Sequence, residues 1–174
     1  MKKSVVLLLV FVLLLSLSLT ASAKVNRSTF TGTNVIQYFI DPPTPERCTT
    51  NPANVQRCRD IVLVTQTDTT DERLNGYEVL TINRNWRMVG DLPLGEGPWW
   101  GTGVMRDGAV DDPTAEITWT SKFHGQAYAD GSSTMHAVLT GHGKYEGLKA
   151  FVDGVRRPDN FFTLYLTGYV VEKD

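Results

Sequence analysis

Thr140-Gly141-His142-Gly143-Lys144-Tyr145-Glu146-Gly147-Leu148-Lys149-Ala150 is the stretch from which the fold can be read. Glycines at 141, 143 and 147 alternate with one aromatic and one aliphatic side chain, Tyr145 and Leu148. Glycine takes positive φ without steric cost, so the spacing predicts a sharply bent connection pinned by two apolar anchors, with Gly147 allowing close approach. The flanking segments, 134–140 and 150–155, are strand-like, and the unit reads as a hairpin joining two walls of an all-β barrel. A nucleotide-phosphate loop is excluded, because the spacing is G-x-G-x-x-x-G and no helix pattern follows.

Working outward, 114–128 alternates, with Ile117, Trp119 and Phe123 on one face and Thr118, Thr120, Lys122 and His124 on the other. Asp130-Gly131 predicts a hairpin turn, and 161–171 supplies a last strand. Toward the N-terminus, 25–31 and 34–40 read as one interrupted strand or a tight hairpin about Gly32. Further strands are expected at 61–67, 77–82, 86–92 and 99–106. Asn75-Gly76 marks one turn, and Pro93, Gly95, Gly97 and Pro98 mark a connection. No amphipathic helix pattern occurs after residue 23. Many short strands at regular spacing predict a single all-β domain, a barrel or a sandwich, and closure into a barrel would hide the edges of so many apolar strands.

Residues 1–23 stand apart from that domain. Lys2 and Lys3 precede an apolar run over 5–15, and Ala21-Ser22-Ala23 is a small-residue cleavage site, so a signal peptide ending at Ala23 is expected, with the barrel in 24–174. A retained membrane anchor is the alternative; Ser16, Ser18, Thr20 and Ser22 dilute the apolar tail, and no basic stop-transfer cluster follows. An extracellular or periplasmic location follows, with no membrane association after cleavage. No cysteine sits at the cleavage site, which argues against a lipoprotein. Losing the two lysines makes the formal charge of −2 more negative still, which argues against a nucleic-acid partner. Asn26-Arg27-Ser28 is a glycosylation sequon in a eukaryotic secretory pathway.

Cys48 and Cys58 are the two cysteines of the chain, and both fall in 41–59, a segment with four prolines. In an exported protein such a pair reads as a disulfide stapling a surface loop, a decorated connection or a lid. Closing so short a loop contributes about 2.5–3 kcal/mol in the chain-entropy model.

Candidates for chemistry are few. His124 and His136 flank the Asp130-Gly131 turn, and an odd-numbered loop such as 130–132 would set them diagonally adjacent on the face opposite Trp119 and Phe123. Zinc would need a third ligand, and none stands at a recognisable spacing, so no metal and no cofactor are expected. Glu146 and His142 in the glycine segment are the candidates for acid–base catalysis; the alternative for Glu146 is a solvated or capping loop glutamate. Trp86, Trp100, Trp119, Phe123 and Tyr145 are the candidates for the wall of a ligand pocket, against core filling as the alternative. Trp99 and Trp100 are adjacent, so at most one of them faces inward.

The glycine segment resembles two families. Gly141-His142-Gly143-Lys144-Tyr145-Glu146-Gly147 is similar to the G-x-G-x-aromatic-x-G of plant dirigent proteins and to the G-x-G-x-F-E-G of allene oxide cyclases, and Glu146 leans toward the cyclases. Leu139-Thr140 also looks cyclase-like, and 161–168 resembles the cyclases' last barrel strand. The resemblance covers 114–171. It implies an eight-stranded antiparallel barrel, a tendency to trimers and an interior that holds small apolar molecules. The cyclases' acidic and amide residues belong to an N-terminal half from which this chain departs; Tyr77-Glu78 and Asn83 echo them at a different spacing.

Three functions fit: a secreted barrel that binds or shields a small apolar molecule, an isomerase or cyclase acting on a lipid-like or phenolic substrate, and a structural module with a filled barrel. A binder requires an open, mostly apolar interior. An enzyme adds titratable groups converging inside, with Glu78, Glu116, Glu146 and the histidines as candidates.

Overall fold

The computed structural model describes residues 25–88, 95–110 and 112–172. The expected signal peptide and its cleavage site lie outside these residues. The described strands are β1 (Asn26–Asp41), β2 (Cys48–Thr50), β3 (Val55–Thr69), β4 (Gly76–Met88), β5 (Gly95–Arg106), β6 (Ile117–Ala127), β7 (Ser133–Gly141), β8 (Leu148–Arg156) and β9 (Thr163–Glu172). Two short 3₁₀ turns interrupt them, η1 (Glu72–Leu74) and η2 (Gly143–Tyr145), and no α-helix occurs among the described residues.

The sheet runs β1-β9-β8-β7-β6-β5-β4-β3-β2, every pairing is antiparallel, and β1 also pairs with β3. That last pairing closes eight strands into a barrel and leaves β2 as an appendage on β3. Closure depends on β1 changing partners along its length: 26–35 pair with β9 and 32–41 with β3. Gly32 sits in the overlap, where a Cβ would lie 2.2 Å from the Asp68 carbonyl oxygen. The residue expected to interrupt a strand is instead the place where one continuous strand is clasped from both sides. Register shifts at Ile36/Tyr38 and Phe39/Asp41 absorb the bend.

The glycine segment is the hairpin the sequence predicts. Gly143 and Gly147 take positive φ (54° and 86°), Tyr145 stacks on Trp119 with centroids 5.4 Å apart, and Leu148 packs on the core. The close approach is at Gly141, where a Cβ would meet the Tyr145 carbonyl oxygen at 2.1 Å; Gly147 has open space and supplies conformation only.

Other expectations shift in detail. The 77–82 and 86–88 segments belong to one strand, β4, while 89–92 fall outside the described residues. Gly95, Gly97 and Pro98, expected in a connection, begin β5. Asn75-Gly76 does not make a two-residue turn: Asn75 stays extended, and its Oδ1 accepts from the Thr69 backbone N–H (2.6 Å) while η1 makes the reversal. The 41–59 segment is more regular than a loop. Cys48 and Cys58 oppose each other across β2 and β3 with Cα atoms 4.1 Å apart and form the expected disulfide.

The core lies inside the barrel. Trp119, Ser121 and Phe123 of β6 are buried, whereas Lys122 and His124 are exposed. On β6 the large apolar side chains face in and the charged ones out, the reverse of a lipid-facing strand. No described helix is long and apolar enough to cross a membrane.

Candidate functional site

The barrel is not filled. A cavity of about 70 Å³ lies within it, walled mainly by Phe30, Leu80, Trp99, Phe123, Leu164 and Leu166. That volume admits several waters or one small organic group.

One side of the cavity is polar. Along β3, Thr65, Thr67 and Thr69 follow Ile61 and Leu63 on the inward register. Asn34 of β1 reaches across from the closing strand, its Nδ2 donating to Thr65 Oγ1 (2.9 Å) and Thr67 Oγ1 (2.8 Å). Glu78 of β4 stands directly opposite Thr65, and its Oε1 accepts from the Ser121 hydroxyl at 2.6 Å. Space for this contact comes from Gly103 of β5, where a Cβ would lie 2.1 Å from Glu78 Oε1 and 2.4 Å from Ser121 Oγ. Gly101 likewise makes room for the Phe123 ring. The Gly101-Thr102-Gly103 pattern is therefore a hollow in the barrel wall. Burial pushes the Glu78 carboxyl up to about 7, against the opposing pull of the Ser121 hydrogen bond. A carboxyl in that range can hold or release a proton near neutrality, as a general acid or base must.

The two ends of the barrel differ. At one, Trp119 is 1% exposed, its indole N–H donates to the Arg73 carbonyl (2.8 Å), and Leu74 of η1 plugs the opening. At the other, Arg84 stacks on Trp86 at 4.3 Å and donates from Nη2 to Gln56 Oε1 at 2.7 Å. Arg156 lies over the Phe161 ring at 4.6 Å and lines the cavity. Burial alone lowers both guanidinium groups, Arg156 to about 10.

Of the residues singled out in the sequence as a pocket wall, Phe123 lines the cavity. Trp119 and Tyr145 form the closed end, and Trp86 belongs to the core at the opposite end. Trp100 is a correction. Strand alternation turns Trp99 inward and Trp100 outward, where it opposes His124 and lies under the Arg59 guanidinium. Glu146 and His142 are not in the cavity either. Glu146 is exposed in the hairpin, and His142 Nε2 bonds Thr120 Oγ1 at 2.9 Å. Glu116 is exposed beside Gly143.

The outer histidines are closer than expected. The hairpin loop is 128–132, which sets His124 and His136 directly opposite, rings 5.5 Å apart, rather than diagonally. Asp153 of β8 hydrogen-bonds His136 Nδ1. No group of three or more side chains suited to a metal ion occurs among the described residues.

Glu78 was legible as a candidate; Asn34, Thr65, Thr67, Ser121 and Arg156 were not. A signal for the threonines was present in the unbroken odd-numbered register Ile61, Leu63, Thr65, Thr67, Thr69. Asn34 and Ser121 carry no such pattern, since their partners are 31 and 43 residues away. Comparison with family models, curated proteins and solved structures finds no match to this chain.

Proposed function

We propose that this protein is a secreted barrel that binds a small, mostly apolar molecule bearing a polar group. The observation that carries this reading is the cavity itself: apolar on most sides, with the Glu78–Ser121 and Asn34–Thr65–Thr67 contacts gathered on one wall. A barrel that served only as a scaffold would gain stability by filling that space and by replacing a buried carboxyl with an apolar side chain. The resemblance of 141–147 and 161–168 to allene oxide cyclases and dirigent proteins supports the same reading, and it extends the proposal to a homotrimer. The disulfide and the N-terminal sequence support export. Native mass spectrometry of protein purified from its source tests it. A co-purifying small-molecule mass is expected. An empty protein that also fails to take up a small probe such as 1-hexanol would overturn the reading.

Glu78 favours a second reading, an isomerase or cyclase in which this one carboxyl moves a proton while the barrel excludes water and fixes the substrate's shape. Incubating the co-purified molecule with protein in D₂O separates the two. Deuterium uptake by the ligand with wild type and not with E78Q favours the isomerase; none with either leaves a binder.

A further inference from the structure

Five buried side-chain polar atoms find no hydrogen-bond partner among the described residues: Arg84 Nε, Trp86 Nε1, Trp99 Nε1, Ser133 Oγ and Arg156 Nε. All five belong to the same end of the barrel. Arg84 and Trp86 close β4 and Trp99 opens β5, paired across from Arg84. Ser133 opens β7 and is paired across from Arg156 at the end of β8. The Trp99 indole reaches over β6, its Cε2 and Cζ2 lying 2.4 and 2.6 Å from where a Gly125 Cβ would be, and so leans toward the β7 side.

Buried donors left unpaired are rare, and each costs its desolvation unless something absent from the chain satisfies it. A cluster of them at one place therefore describes a missing acceptor. Four of the five atoms are N–H donors and the fifth is a hydroxyl, so the partner must accept hydrogen bonds. Two of the donors are guanidinium groups. Arg84 meets the neutral Gln56 amide and the Trp86 ring, Arg156 meets a ring face, and no carboxylate among the described residues pairs with either. The partner must therefore also be anionic. Glu78 is not that anion, because its Oε1 accepts from Ser121 and no ion pair joins it to either arginine among the described residues.

We infer that the ligand is an apolar acid whose anionic oxygen headgroup is held by Arg156, Trp99 and Ser133, with Arg84 on the facing wall, while its apolar part lies against Phe123, Leu164 and Leu166. β4 and β8 stand four places apart in the eight-stranded ring, so the two guanidinium groups approach the end of the barrel from opposite sides. Arginine suits the task, because its planar fork presents paired donors to a carboxylate. The inference rests on the proposed binding function and names its ligand class.

Matched six-carbon probes test it: hexanoate, 1-hexanol and hexylamine, titrated by calorimetry and by tryptophan fluorescence. Hexanoate should bind at least tenfold more tightly than 1-hexanol, and hexylamine more weakly than either. R156Q should remove the preference for the acid and leave hexanol binding unchanged, R156K should retain part of it, and W99F should weaken hexanoate by a few-fold. Thermal melts confirm that each variant is folded. Equal binding of acid and alcohol, or an R156Q loss that falls on both alike, would overturn the headgroup assignment and leave the cavity as a binding site. No binding of any probe would overturn both.

Discussion

The two ends of the barrel are built on different terms. At the η1 end every prominent polar group is matched: Trp119 N–H to the Arg73 carbonyl, the Arg73 guanidinium to Asp71, Glu172 and Ser28, and the Thr69 N–H to Asn75. Tyr145 covers Trp119 from the glycine hairpin. At the opposite end a covalent bond, Cys48–Cys58, ties β2 to β3, while five buried polar atoms find no partner among the described residues. A fully satisfied network rigidifies, and a partly satisfied one is costly unless a ligand completes it. On the proposed reading, closure and stability belong to the first end and recognition to the second, with the Glu78 wall between them.

Truncating Trp119 should break the closed end hardest. W119A empties the largest fully buried side-chain volume and should cost about 3–5 kcal/mol in denaturant unfolding. A loss under about 1 kcal/mol would mean that the floor carries little of the fold's stability.

Glu78 provides the next effect. Its carboxyl is raised from 4.5 to about 7 in the folded chain, so the native state keeps the proton to higher pH than the unfolded state does. The Glu78 contribution to stability is therefore fully present below 4.5, falls as the pH rises toward about 7, and is gone above that. The drop is on the order of 3 kcal/mol. E78Q should flatten the profile and be the more stable protein above neutrality. Urea melts of both proteins across that range provide the check, and parallel profiles would show that Glu78 is solvated.

Replacing both cysteines, C48A with C58A, should cost about 2.5–3 kcal/mol. Hydrogen exchange should show the lost protection concentrated in β2 and the first residues of β3, with β6 and η2 opening no more often than global unfolding requires. Loss spread evenly over the barrel would contradict the division between the ends.

The smallest effect sharpens the comparison most. W119F and W99F each exchange an indole for a phenyl ring, but only Trp119 loses a hydrogen bond, so W119F should cost about 1–2 kcal/mol more than W99F. Equal costs would place an acceptor near Trp99.

Much of the architecture was legible because it is local. Alternation in 117–124 separates inside from outside, and the positive-φ demand at 143 and 147 explains glycine there. Asn75-Gly76 misled because η1, held by Asp71 and Arg73, reverses the chain before a two-residue turn is needed. The Trp99/Trp100 choice could not be made from the pair alone, since alternation supplies a period but not a phase. The phase of β5 is set by Gly101 and Gly103, which must face Phe123 and Glu78 on other strands.

The sequence by itself therefore determined the strand-rich chain, the hairpin at 140–150 and the disulfide, all of which rest on patterns local in the chain. Only the tertiary structure decided what the barrel encloses. Asn34 meets Thr65 because β1 pairs with β3 and the sheet closes, Glu78 meets Ser121 across Gly103 of β5, and Arg156 stands beside Ser133 through the β7–β8 register. Those contacts are properties of register around a ring, which no single stretch of chain encodes.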